Sequence, residues 1–321
     1  VLKTPQFWKS DDLPSKLLTP FAWLYKHIAN WRESRVVPEK AGIPVICVGN
    51  LVMGGAGKTP VVMAITKMLR EMGHKPHIIS RGYGGYYREV ALVEPSIHTY
   101  LQVGDEPLLL AKEAPTWIGV DRVEAAKEAK SQGATVIVMD DGLQNPSLKK
   151  DLSILVVDSL QGLGNKKVFP AGPLREPIEK GIKRADLVIM VGDSNPFPEV
   201  FKDPVMAKIV SDESKSPKKV VAFAGIGYPE KFRLSLCTQN IEVVEFIPFA
   251  DHYPYTITDI QRLVKIAEGH GCKLMTTEKD YLRVPPAYRS KVSTFKIHLE
   301  FGDVPLVNEK IEQLFNKGNN S

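Results

Sequence analysis

The stretch "CVGNLVMGGAGKTP" (47–60) constrains this chain more than any other. It joins an apolar run, "IPVICVGN" (43–50), to a helical pattern over 58–72. Between them lie three glycines in four positions, Gly54, Gly55 and Gly57, followed by Lys58 and Thr59. Glycine lets the backbone curl through conformations closed to other residues. A curl that enters a helix aims successive N–H groups at one point, where the helix N-terminus adds partial positive charge. That point suits a phosphate. A lysine after the curl reaches the β- and γ-phosphates, and the neighbouring hydroxyl ligates Mg²⁺. Gly54, Gly55, Ala56, Gly57, Lys58, Thr59 and Pro60 are therefore the expected nucleotide-contacting residues. The usual spacing G-x-x-x-x-G-K-[ST] would put a first glycine at position 52, which is Val. The later glycines must then supply the curl.

A strand–loop–helix unit of this kind calls for a parallel sheet, and the chain supplies more strands. "HIIS" (77–80), "TVIVMDD" (135–141), "LSILVVD" (152–158) and "DLVIMV" (186–191) are short, Val- and Ile-rich and barely alternating. Strands covered on both faces look like this. Helical patterns at 105–114 and 121–132 lie between them. The order predicts an α/β fold, a P-loop NTPase-like doubly wound and mostly parallel sheet. Such sheets place their chemistry at the carboxyl ends of strands, where Asp140 and Asp141 follow "TVIVM". A phosphate loop needs a second Mg²⁺ contact there, so Thr59, Asp140 and Asp141 are the expected metal contacts. A polar stretch at 210–219 predicts a linker. The apolar runs at 220–229, 241–249 and 272–280 then begin a second, smaller α/β domain. The predicted divisions are 1–35, 36–211 and 212–321.

Composition excludes several classes. Cys47, Cys237 and Cys272 are widely spaced and odd in number, which suits neither a disulfide framework nor a zinc site. No apolar run approaches the ~20 residues of a bilayer crossing, and no secretory signal pattern opens the chain. A net charge of +5 favours anionic partners. The basic residues form no stripe, so no nucleic-acid partner is expected. A loop and acid pair of this kind serve transfer of a nucleotide phosphate to an acceptor, or a P-loop GTPase or ATPase coupling hydrolysis to conformational change. A GTPase would carry a guanine-reading N-K-x-D motif, and the sequence has none.

The segment "LPSKLLTPFAWLYKHIANWRESR" (13–35) carries an N-terminal amphipathic helix. Thr19 reads as its N-cap and Pro20 as its first helical residue, with the prolines breaking the segment. Leu17, Phe21, Leu24, Ile28 and Trp31 recur at helical spacing, with Trp23, Tyr25 and several cations around them. A helix of this make-up either packs on the protein's own core or lies at a lipid interface.

Further motifs follow in order: "SRGYGG" (80–85), "VGDEPLLLA" (103–111), "DRVEAA" (121–126), "DDGLQN" (140–145), "FPAGPLREP" (169–177), "FADHYPYT" (249–256) and "TTEKD" (276–280). With "GNLVMGGAGKTP" they resemble the tetraacyldisaccharide 4'-kinase family of lipid A biosynthesis, over roughly residues 8 to 285. The resemblance implies ATP- and Mg²⁺-dependent transfer of the γ-phosphoryl group. The acceptor would be the 4'-hydroxyl of a tetraacylated glucosamine disaccharide 1-phosphate. It also implies a peripheral protein on the cytoplasmic face of the bacterial inner membrane, touching lipid through the N-terminal helix, with a monomer expected. Asp105 alone reads as an N-cap for helix 105–114. The resemblance makes it, with His252, a catalytic dyad beside Lys58, one of the two being the general base: in one arrangement Asp105 would take the hydroxyl proton and His252 would orient or tune it. Arg81, Arg175 and Glu176 are expected to line the acceptor cleft, while Lys279 receives no assigned contact. The family's usual His after D-D-G-x-Q is Asn145 here, which cannot carry a proton near neutral pH. A dyad drawn from both halves makes catalysis depend on domain closure.

Overall fold

The computed structural model describes residues 5–211 and 217–316. The core of the predicted linker, 212–216, lies outside them. After a short 3-10 helix at Gln6–Trp8, the chain forms α1 (Leu13–Ser34). It then runs β1 (Val45–Gly49), α2 (Lys58–Glu71), β2 (Pro76–Ser80), β3 (Ala91–Leu92), α3 (Tyr100–Val103), α4 (Asp105–Leu110) and β4 (Thr116–Ile118). Next come α5 (Arg122–Ser131), β5 (Val136–Asp140), β6 (Leu152–Asp158), α6 (Ile178–Lys183), β7 (Leu187–Val191) and β8 (Val205–Ser211). The second unit holds β9 (Lys219–Ala224), α7 (Pro229–Thr238), β10 (Glu242–Pro248), α8 (Ile257–Gly269), β11 (Lys273–Thr277), α9 (Glu278–Tyr281) and β12 (Val292–Phe295). Finally β13 (Ile297–Phe301) and α10 (Val304–Asn316) close the described chain.

The first sheet has nine strands in the order β13-β8-β7-β6-β1-β5-β2-β4-β3. It is parallel except where β13 meets β8 and β3 meets β4 at its two ends. The five apolar runs of the sequence form its centre, and β1, β2, β5 and β6 are buried along their whole lengths. One face packs on α2 and α10 through Val61, Ile65, Val307 and Ile311. The other packs on α5 and the region around α6 through Val123, Ala126 and Leu174. The second sheet is parallel, in the order β10-β9-β11-β12.

Two expectations are corrected. The predicted second domain of 212–321 does not run to the end of the chain. Its sheet ends at Phe295, and β13 and α10 return to the first sheet and its core. The N-terminal segment is one helix of 22 residues, with Asp12 as N-cap and Pro20 inside. Pro14 sits in the first turn, where no N–H bond is lost. Pro20 deprives the Lys16 carbonyl of its partner, but Lys16 is exposed and water can serve it. Thr19, read as the cap, instead donates its hydroxyl to the Ser15 carbonyl at 3.1 Å. The helix is held on one side only. Ser15 donates to the Ala171 carbonyl at 2.9 Å, and Glu33 pairs with Lys180 and Arg184. Its apolar stripe faces outward, with Leu17 65% and Trp23 62% exposed.

Candidate active site

The glycine loop leaves β1 at the centre of the first sheet. Gly57 caps α2 at φ +79°, left-handed backbone that a side chain would strain. Val52 is buried and bridges to Leu174, so it belongs to the wall behind the loop. Asn50 holds the loop by donating to the Val52 carbonyl at 2.9 Å and accepting from Lys58 at 3.2 Å. Lys58 also lies 3.5 Å from Asp141.

Asp140 ends β5, which neighbours β1, and Asp141 follows it in the turn. Asp140 accepts from the Ser80 hydroxyl at 3.1 Å. Burial, with Glu106 and Asp141 nearby, pushes its carboxyl up to about 7. Burial also opposes ionisation of Asp141, but Lys58 and Arg175 outweigh it and hold that carboxyl below its ordinary range. Arg175 pairs with Asp141 at 2.7 Å. Thr59 stands beside Lys58 on the same cavity. These hard oxygens, crowded with like charge, suit a small divalent cation. No group of three or more ligating side chains forms a cage among the described residues. Mg²⁺ is ordinarily held by one or two carboxylates plus phosphates, so this donor set fits it.

The second unit brings a different chemistry. Asp105 opens α4 directly after Gly104, whose φ of +91° and close approach to the Tyr83 carbonyl leave no room for a Cβ. Gly104 is the N-cap, and Asp105 turns away from that job. Its Oδ2 meets Nδ1 of His252 at 3.0 Å and Nε of Arg283 at 3.1 Å. Its Oδ1 is buried without a hydrogen-bond partner, with Lys279 at 4.0 Å. Burial favours the neutral acid, yet His252, Lys279 and Arg283 outweigh it and hold Asp105 below the usual carboxylate range. His252 adopts φ +55°, which few non-glycine residues tolerate. Lys279 pairs with Glu106 at 2.8 Å. Burial works against its charge, but Glu106 and Asp105 prevail and push the ammonium above its usual range. Lys231 of α7 pairs with Asp158 at the end of β6, a further tie between the units.

One cavity of about 1560 Å³ collects these elements. Gly54 to Pro60, Arg81, Asp140, Asp141, Arg175, Glu176 and His252 all line it. Asp105 lies just behind His252, 2% exposed. Arg81 is exposed, whereas both oxygens of Glu176 are occupied by Gln144 at 2.8 Å and Arg184 at 2.9 Å. Arg175 faces the acid pair as well as the cleft. Asn145 serves its own turn: its side-chain oxygen accepts from Ser147 and Leu148. The sequence reading missed Arg283, Lys231 and Asp158. Only the i,i+3 spacing of Asp280 and Arg283 within "TTEKDYLR" hinted at the first.

A parallel sheet with a glycine loop, Lys-Thr and paired acids on the next strand defines a P-loop phosphotransferase, here with a second α/β unit across the cleft. Known proteins narrow that class. The family model described as Tetraacyldisaccharide-1-P 4'-kinase matches residues 14–316. The tetraacyldisaccharide 4'-kinase of Hyphomonas neptunium is 42% identical, over 98% of this chain and 99% of that protein. That of Rhodospirillum rubrum is 43% identical over 97% of each. The crystal structure of "apo" form LpxK from Aquifex aeolicus in complex with ATP superposes with a TM-score of 0.75 at 28% identity. It covers 94% of this chain and all of that one. The chain belongs to the tetraacyldisaccharide-1-P 4'-kinase family. It is a kinase that uses ATP, and the alternative of a nucleotide-driven switch is not favoured.

Proposed function

We propose that this chain transfers the γ-phosphoryl group of ATP to the 4'-hydroxyl of a tetraacylated glucosamine disaccharide 1-phosphate. The observation that carries the reading is the single cavity joining the glycine loop, the acid pair and His252, with Asp105 behind. Loop N–H groups and Lys58 hold the β- and γ-phosphates. Thr59 with Asp140 and Asp141 would hold Mg²⁺. When bound, that ion neutralises charge on the phosphate oxygens. Arg175 fixes Asp141 for this task.

Asp105 Oδ1 is the proton acceptor. It is a buried carboxylate oxygen lacking a donor, a rare state that an acceptor hydroxyl would relieve. The 4'-oxygen bonds to the γ-phosphorus, the bond to the bridging β–γ oxygen breaks, ADP leaves, and the proton passes to Asp105. A carboxylate of low basicity suffices because phosphoryl transfer demands mainly positioning and charge stabilisation. His252 orients Asp105 through its ring contact with Oδ2. Arg81 is placed for an anionic sugar phosphate, which a guanidinium binds bidentately. Glu176 supports the cleft wall through Arg184 and Gln144.

The exposed stripe of α1, with Lys16, Lys26 and Arg32 beside it, lies on the cytoplasmic face of the inner membrane, where a lipid acceptor is found. No helix among the described residues is long and apolar enough to cross a membrane. We take the working unit to be a monomer. Purified protein given γ-labelled ATP, Mg²⁺ and the disaccharide 1-phosphate should yield a labelled bis-phosphorylated lipid. Label appearing only in inorganic phosphate would overturn the reading.

A further inference from the structure

Arg283 heads the largest side chains that are fully buried, at 2% exposure. Its partners are unusual in belonging to both halves of the dyad. Nε pairs with Asp105 Oδ2 at 3.1 Å, an ion pair without hydrogen-bond alignment. Nη1 donates to the Tyr253 carbonyl at 3.0 Å, and Nη2 donates to the Gly225 carbonyl at 2.8 Å. The same Gly225 carbonyl accepts the backbone N–H of His252 at 3.0 Å. One planar group thus touches the carboxylate and brackets the backbone that carries the imidazole. His252 itself sits at φ +55°.

The group is itself anchored. Nη2 donates to Asp280 Oδ1 at 2.6 Å, and that oxygen also accepts from Gly225 N–H at 2.8 Å and the Tyr255 hydroxyl at 2.7 Å. Thr277 donates to the other Asp280 oxygen at 2.6 Å. Asp280 is fully buried. Arg283 is thus held by Asp280 on one side while its Nε faces the Asp105 oxygen that His252 also contacts.

We propose that Arg283 is a positioning residue for phosphoryl transfer. Its guanidinium sets the separation of Asp105 and His252, occupies Oδ2 jointly with the imidazole, and leaves Oδ1 for the acceptor hydroxyl. The inference rests on Asp105 being the proton acceptor. Lysine cannot replace this role, because a single ammonium has no planar fork to span four acceptors.

The test is steady-state kinetics of the full chain with ATP and the disaccharide phosphate. It uses Arg283→Lys, Arg283→Ala and Asp105→Asn, beside nucleotide affinity and thermal melting. Arg283→Lys should lower kcat by ~10²-fold, the cost of misplacing a reacting group by about an ångström. KM for ATP should stay near the parent value. Guanidinium chloride at low millimolar concentration should restore part of the activity of Arg283→Ala, and equal sodium chloride should not. Should the alanine variant fail to fold, Arg283→Lys decides alone. Parent-like kcat in Arg283→Lys, with Asp105→Asn inactive, would overturn the positioning role and leave the base intact. Loss of kcat only in step with lost nucleotide affinity and melting temperature would overturn it too. Parent-like kcat in Asp105→Asn would instead remove the reading on which it rests.

Discussion

At the scale of single residues, two kinds of polar group meet in the cleft. Lys58 and Thr59 belong to a loop and helix start whose geometry is local, and Asp140 and Asp141 stand at the end of the strand beside it. Their placement was therefore legible from adjacent letters of the sequence. Asp105 and His252 were paired only through the family resemblance, since nothing local links them. Arg283 was illegible, because its partners lie on Asp105, Gly225 and Tyr253, brought together only by the fold. Arg175 was assigned to the acceptor and is found gripping Asp141. These differences have kinetic signatures. Asp105→Asn should reduce kcat by ~10² to 10⁴ with ATP affinity retained, whereas Lys58→Ala should weaken ATP binding as well. Nucleotide titration beside turnover measurement checks both, and equal behaviour of the two variants would contradict the division of labour. The ionised Asp105 also stabilises the fold. Its folded pKa lies below the ordinary 3.8, so this contribution is complete above that value and is lost as pH falls through the folded one.

At the scale of elements, α1 teaches how far proline can be trusted as a breaker. The rule that proline interrupts a helix assumes that the orphaned carbonyl has no other partner. Here Pro14 falls in the first turn and the carbonyl facing Pro20 is open to water, so the helix continues. The stripe of Leu17, Phe21, Leu24, Ile28 and Trp31 was legible from its spacing. Which way it faced was not, because inward- and outward-facing amphipathic helices obey the same periodicity. Its outward direction is set by Ser15, Ala22 and Glu33 on the packed side. Replacing Trp23 and Trp31 with Glu should weaken binding to anionic lipid vesicles at least tenfold and leave the melting temperature unchanged, since both side chains are exposed. Co-sedimentation measures the first quantity and calorimetry the second. Undiminished vesicle binding would remove α1 as the membrane contact.

At the scale of the whole molecule, the polar stretch near 212 marked where the chain leaves the first sheet. Nothing marked its return, because β13 is an edge strand with alternating exposure and reads like the end of any small domain. The return nevertheless completes the first core. Leu299, Val307 and Ile311 are buried there, and burying each contributes about 1.5–3 kcal/mol. Removing residues 297–321 should therefore cost at least about 4 kcal/mol, a large part of an ordinary domain's stability. Urea denaturation followed at the first unit would detect it, and an unchanged midpoint would show that α10 is dispensable. The same return has a mechanical meaning. Ser211 and Ile297 are register partners on adjacent strands, so the chain departs for the second unit and comes back from it at one place. A hinge at that shared edge would carry His252 and Arg283, both on the second unit, toward or away from Asp105 together. Admitting the acceptor and assembling the proton relay would then be successive positions of a single degree of freedom.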